Sequence, residues 1–106
     1  MGEVWSVKSV REDPMFNLDT LEAESDGRNL TLELPKGLVN LREWNSFEIN
    51  ISKEEEDGDV VMKGIVYKCE GNRLEISIYG LWLRADVSKC DLSEGEEVYV
   101  IIRRLD

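Results

Sequence analysis

The side chains with most chemical character sit close together late in the chain. Trp82 and Arg84 are two residues apart, and Tyr79 precedes them across Gly80 and Leu81. On a strand, residues two apart share a face, so the indole and guanidinium would project together. Trp, Tyr and Arg are the residues enriched where protein interfaces draw most of their binding energy. The same rings could stack on bases, with Tyr67, Tyr79, Trp82 and Tyr99 as the platform. Catalytic chemistry is poorly equipped. The chain has no histidine to act as a base near neutral pH. It has two cysteines, Cys69 and Cys90, and no CxxC, which is too few ligands for a zinc site. They read as two small half-buried thiols, with a disulfide possible but not implied. The acidic stretch Lys53 to Asp59, KEEEDGD, lacks the residue order of a calcium loop. It reads as a solvated turn whose charges discourage edge pairing. No cofactor or metal is expected, and the chain reads as non-catalytic.

Composition supports a binding role over nucleic-acid contact. The 106 residues suit one domain, 1–106, and 42% of them are apolar. The net charge is -10, from 23 acids and 13 bases. Nucleic-acid binders usually carry a basic face, because phosphate neutralisation supplies much of their affinity. Here the bases are scattered apart from Arg103-Arg104, so strong direct nucleic-acid binding is not expected. An acidic domain suits a basic protein surface instead. No run approaches the roughly 20 apolar residues of a membrane span, and no signal peptide is evident. The expectation is a cytoplasmic protein, away from membranes and monomeric when isolated. A charged content of 34%, with no Gln, leans toward a heat-adapted source.

The elements that must position these residues read as strands. Glu3 to Val10 is a first strand with imperfect alternation, and Arg11 to Asn17 is a connection broken by Pro14. Leu21 to Ser25 is a short second strand, and Asp26-Gly27 is a hairpin turn. Leu30, Leu32 and Leu34 alternate with Thr31 and Glu33 on a third strand. Leu38 to Trp44 is a connection with room for one helical turn. Phe47, Ile49 and Ile51 form the inner face of the next strand. From Val60 to Cys69 both faces are apolar, with Val60 and Met62 on one and Val61, Ile65 and Tyr67 on the other. Such a strand is buried on both sides or switches faces, and Gly64 is the natural place for a bend. Leu74, Ile76 and Ile78 follow the turn at Glu70-Gly71-Asn72. Leu81 to Arg84 is the next strand, and Ala85 to Glu97 is a loop with room for a helical turn. Val98, Val100 and Ile102 line the last strand.

The chain also repeats itself. LREWNSFEINI (Leu41 to Ile51) aligns with LSEGEEVYVII (Leu92 to Ile102), and Leu30, Leu32 and Leu34 align with Leu81, Leu83 and Ala85. With two residues removed at the turn, LEAESDG (Leu21 to Gly27) aligns with LEISIYG (Leu74 to Gly80). Two halves of strand, hairpin, connection and strand give about eight strands. Each has one apolar face, which only an antiparallel barrel would bury. The expected fold is thus all-β, a small OB-like barrel of two pseudo-symmetric halves with little or no helix. In this alignment Trp82 and Arg84 replace Thr31 and Glu33, which marks the second hairpin as specialised.

The stretch VVMKGIVYKCEGNRLEISIYGLWLRAD (Val60 to Asp86) resembles a known family. It is similar to the C-terminal half of the small OB-fold subunit shared by the eukaryotic nuclear RNA polymerases, the eighth subunit. The residues that carry the resemblance are Gly64, Val66, Tyr67, Glu70 and Gly71, then Tyr79, Gly80, Leu81 and Arg84. The closing EEVYVIIRRLD is similar as well. The eukaryotic family has a long loop where this chain has KEEEDGD, so the chain looks more like the archaeal counterpart of that subunit. The resemblance covers roughly the last 45 residues by motif. It implies a non-catalytic subunit of a DNA-directed RNA polymerase, a nucleotidyltransferase complex active in transcription. It also implies docking on other polymerase subunits, chiefly the largest, in support of assembly or stability. By position, Tyr79, Gly80, Leu81, Trp82 and Arg84 would form that partner interface.

Overall fold

The structure, a computed structural model, describes residues 3–106. Its strands are β1 (Glu3–Asp13), β2 (Leu18–Ser25), β3 (Arg28–Pro35), β4 (Ser46–Ser52), β5 (Val60–Glu70), β6 (Arg73–Ile78), β7 (Leu81–Asp86) and β8 (Glu97–Arg104). A single 3-10 turn at Leu41–Glu43 lies in the connection where the sequence has room for a helical turn. The strands close into an antiparallel barrel in the order β1-β2-β3-β7-β6-β5-β8-β4. Closure gives every described strand a partner on both sides and one inward face. Those faces supply the core, with Leu21, Leu32, Leu34, Phe47, Ile76, Leu83, Val98, Val100 and Ile102 nearly or fully enclosed.

The two halves are related by a pseudo-twofold axis that pairs equivalent strands with each other, β3 with β7 and β4 with β8. The hairpin turns match directly. Ser25 pairs with Arg28 across Asp26-Gly27, and Ile78 pairs with Leu81 across Tyr79-Gly80. All four turn residues have positive φ, which matches the right-handed twist of the strands they join. The turns are therefore equal in length. The two-residue gap in the sequence alignment belongs after the third strand, not at the turn. Trp82 corresponds to Asn29, and Arg84 corresponds to Thr31. The side chains remain on the outer face because a shift of two preserves strand parity. The contrast between ordinary polar residues and a Trp/Arg pair therefore stands.

The expected strand boundaries need correction in β1, β2 and β7, the last of which runs on to Asp86 and takes Ala85 and Asp86 from the expected loop. β1 runs on to Asp13 and β2 begins at Leu18, so the connection shrinks to Pro14–Asn17. Arg11, Glu12 and Asp13 are polar, yet they pair with Thr20, Asp19 and Leu18. The ladder is satisfied by backbone, which charge on the side chains does not prevent. The imperfect alternation of β1 has a cause, a register shift between Val7 and Ser9 that leaves Lys8 bulged. Its counterpart is a shift between Val66 and Lys68 that leaves Tyr67 bulged. The break in β5 thus lies at Tyr67 and not at Gly64.

β5 is not buried on both faces; it switches its inward parity at the Tyr67 bulge, after which Cys69 packs against the core opposite Leu74. Val60, Gly64 and Val66 are buried, whereas Val61, Lys63, Ile65 and Tyr67 are exposed. Gly64 serves the core instead. A Cβ built there would lie 2.7 Å from Ile76 Cγ2 and 2.9 Å from the Ser77 carbonyl oxygen. Its first-half counterpart is the buried Trp5. Trp5 pairs across to Phe47, and Gly64 pairs across to Val98. One half fills its quarter of the core with two large rings, while the other brings two strands into close approach.

The connection from Val87 to Glu96 contains no helical turn. It folds over the end of β5 and β6, where the Cys90 N–H donates to the Gly71 carbonyl at 3.0 Å. A Cys69–Cys90 disulfide pins it there, which corrects the reading of two separate thiols. Twenty-one residues apart in sequence, the two positions approach to 5.6 Å between Cα atoms, a proximity that only the fold creates. The acidic segment Lys53 to Asp59 lies on β8. Gly58 packs on Ile101, an outward residue that is completely enclosed. Asp59 accepts the Arg104 N–H at 2.7 Å.

Both constraints can be measured. Gly64→Ala should cost about 1–3 kcal/mol by overpacking against β6, read by urea denaturation. Reduction, or the Cys69→Ser/Cys90→Ser pair, should lower stability by roughly 3 kcal/mol while leaving the backbone amide spectrum of the barrel native-like.

Candidate functional site

The outer faces of β5, β6 and β7 carry the aromatic and cationic residues. Ile65 lies opposite Ser77, and Ser77 lies opposite Trp82, so the three form one outward row. The next row runs Lys68, Glu75, Arg84 and Thr31. The bulge at Tyr67 throws its ring out between these rows. Tyr67 meets Trp82 edge to face, with centroids 5.1 Å apart and planes at 84°. The Arg84 guanidinium carbon sits 4.8 Å from the Trp82 ring centroid, in cation–π range. Glu75 lies 3.6 Å from Arg84 and 3.5 Å from Arg73, which holds both guanidinium groups on the face. Small Ser77 leaves open the floor between Ile65 and Trp82. The result is a preorganised patch of one indole, one phenol and one aliphatic side chain with a cation beside them. Tyr67 is 64% exposed and Ile65 is 49% exposed.

The backbone under Trp82 is fixed by an exchange of carboxylates. The β3–β7 ladder has three paired positions, Leu30 with Ala85, Thr31 with Arg84 and Leu32 with Leu83. Beyond one end, the Trp82 N–H donates to Glu33 Oε1 at 3.0 Å. Beyond the other, the Asn29 N–H donates to Asp86 Oδ2 at 3.1 Å. Asn29 and Trp82 are counterparts, and so are Glu33 and Asp86. Both ends of the seam thus use the same device. A charge-assisted bond of this kind is about twice as strong as a neutral one.

The five residues singled out in sequence do not form one surface. Trp82 and Arg84 do come together. Tyr79 and Gly80 form the turn, and Tyr79 is 86% exposed. Leu81 is half-buried against the core and lines a cleft of about 540 Å³ at the barrel end, with Pro35, Leu38 and Val60 to Lys63. Tyr67 and Ile65 belong to the Trp82 cluster, and the interface read from sequence omits them. Their signal is present in the apolar second face of Val61, Ile65 and Tyr67, which is an exposed stripe. Of the four aromatic residues suited to stacking, only Tyr67 and Trp82 touch, among the described residues.

At the face the two guanidinium groups are paired to carboxylates, and Lys68 has no ion pair among the described residues. Two carboxylates elsewhere sit below their ordinary range. Glu96 is lowered by hydrogen bonds from Lys53 and the Ser93 backbone, and Asp106 chiefly by the Ser46 backbone N–H. Both are hydrogen-bonded clamps on backbone ends. Among the described residues, no cluster of three His, Cys, Asp or Glu side chains could hold a metal. No helix among them is long and apolar enough to cross a membrane. No family model matches the chain, and no curated protein matches it.

An outward patch supports little of the fold. Trp82→Ala should cost at most about 1–1.5 kcal/mol, against roughly 3–5 for Phe47→Ala in the core. Glu33→Ala, which strips the Trp82 N–H of its partner, should cost about 1–2 kcal/mol. Urea denaturation of the three variants checks the order.

Proposed function

We propose that this protein is a non-catalytic subunit of a multisubunit DNA-directed RNA polymerase. In this reading it docks through the Tyr67–Trp82–Arg84 face on the largest subunit and supports assembly or stability in transcription. The observation that carries it is the agreement between two independent lines. The pseudo-twofold identifies Trp82, Arg84 and bulged Tyr67 as the places where the second half departs from Asn29, Thr31 and Lys8. The motif resemblance to the polymerase subunit includes Tyr67 and Arg84 on that face and Tyr79 to Leu81 beside it, while its Gly64 and Val66 are buried and its Glu70 and Gly71 lie at the β5–β6 turn.

The chemistry of the face fits a protein partner. It offers an exposed phenol and a half-buried indole held against each other before binding, which lowers the ordering cost of association. The chain's net charge of -10 suits a basic partner surface. A rival reading uses the Tyr67–Trp82 pair to stack single-stranded bases. Arg84 and Arg73 are already paired to Glu75, Arg73 also to Asp86, which leaves Lys68 as a lone unpaired cation on this face, too few for a basic groove that follows a phosphate backbone.

Tagged protein expressed in its own cells should co-purify the largest polymerase subunit. Trp82→Ala and Arg84→Ala should each reduce that recovery more than about tenfold, as hot-spot truncations do. Recovery unchanged by both variants overturns the assigned face. Tight binding of labelled single-stranded DNA with a steep salt dependence would support the rival.

A further inference from the structure

The first half has its own departure from symmetry, at the opposite hairpin. In the second half, β5 turns into β6 through Gly71 and Asn72 alone, with Glu70 paired to Arg73. The equivalent pair in the first half is Arg11 with Thr20. Between them the chain extends by Glu12 to Asp19, two further pairs and a four-residue tip. The short turn is covered, because Cys90 and Val87 donate to the Gly71 and Asn72 carbonyls. The long one stands free and ends in apolar side chains. Met15 is 82% exposed and Phe16 is 68% exposed.

The tip is built. Asp13 Oδ1 accepts the N–H groups of Met15 and Phe16 at 3.1 and 3.2 Å. Asn17 takes φ 57, and its carbonyl accepts the Lys36 N–H at 3.0 Å. Two apolar side chains are therefore held in water by an ordered turn.

Beneath the tip lies an unpartnered charge. Asp19 is on the inward side of β2, the side of Leu21 and Ala23, and is only 9% exposed. Its carboxylate has no hydrogen bond or ion pair among the described residues. It lines a pocket of about 250 Å³ with Val10, Glu12, Lys36 and Arg42 among its walls. Both bases are taken by Glu12, at 3.6 Å each. Glu12 is also the direct cross-strand neighbour of Asp19 and holds both bases, which leaves none to Asp19. The Asp19 oxygens open into that pocket and not into the closed core, and a planar guanidinium entering the pocket is the group that would satisfy them best. The pocket falls just below the roughly 300–1,000 Å³ of small-molecule sites, so it suits a single side chain.

We propose that this hairpin end is a second protein-docking site. Asp19 receives an arginine or lysine side chain of a partner, and Met15 and Phe16 enter an apolar hollow beside that residue. Phe16 in the tip and Asp19 on β2 are three residues apart, at most roughly 10 Å of chain, a span that one partner segment covers. The site is independent of the Trp82 face, since β3 separates β2 from β7. A net charge of -10 argues against an anionic lipid surface as the occupant.

The test has two arms on the full chain. In the first, methylguanidinium is titrated against isotope-labelled protein and amide shifts are followed. Saturable shifts at Asp19, Leu41 and Arg42 are expected, absent with urea. Asp19→Asn should weaken them by about tenfold, the loss of one charge-assisted contact. Equal response to urea, or no change in Asp19→Asn, overturns the proposal. In the second, Phe16→p-benzoylphenylalanine is photo-cross-linked in cells that make the protein, and the attached peptide is sequenced. A partner segment with Arg or Lys within about four residues of the adduct, still captured by a Trp82→Ala chain, supports the site. Adducts to lipid or to a second copy of this chain overturn it.

Discussion

The barrel hangs on the seam between β3 and β7. It is the place where the two halves meet at their hairpins, and it has only three paired positions before the strands diverge. A ladder that short would leave two backbone N–H groups unpaired on an outer face. Glu33 and Asp86 supply the missing acceptors from opposite strands. The seam between β4 and β8 is longer, six pairs from Phe47 to Ser52, and carboxylates cap its end as well, Asp106 accepting the Ser46 N–H and Asp59 the Arg104 N–H. With both seams closed, the inward side chains of all eight strands meet in a single core.

Symmetry of the backbone frees the side chains to differ. Trp5 and Phe47 occupy space on one side of the core that Gly64 and Val98 surrender on the other. The same bulge carries a solvated Lys8 in one half and a Tyr67 that packs on Trp82 in the other. One β-hairpin is clipped to two residues and covered by the disulfide loop. Its counterpart grows an apolar tip over an unpaired aspartate. Each departure leaves the ladder intact because it changes what projects from a strand or how far a hairpin extends. Backbone pairing is indifferent to both. The two proposed docking surfaces are thus the two places where the halves diverge most.

The acidic segment is accounted for by cover. The stretch before β5 looks like a solvated turn in sequence. It also shields Ile101, whose outward position would otherwise leave a large aliphatic side chain in water. Glu54, Glu55 and Asp57 are exposed, whereas Asp59 and Glu56 bond to Arg104 and Arg103 of β8 beside the Gly58 contact. Gly58 permits this because an added Cβ would lie 2.7 Å from the isoleucine.

Local pattern was enough to dictate the class of fold, the closure and the approximate halves. Alternation at Leu30, Leu32 and Leu34, at Phe47 and Ile49, and at Leu74, Ile76 and Ile78 is a local property, and a period of two has one structural reading. It also placed Trp82 and Arg84 on a common face. The remainder took shape only in three dimensions. The true register of the repeat came from pairing across the turns, since a two-residue slip preserves every apolar match. The bulge at Tyr67, the close approach at Gly64, the Cys69–Cys90 bond and the solitude of Asp19 are relations between residues far apart in sequence or facing other strands. Each depends on the distance between strands, which no local pattern encodes.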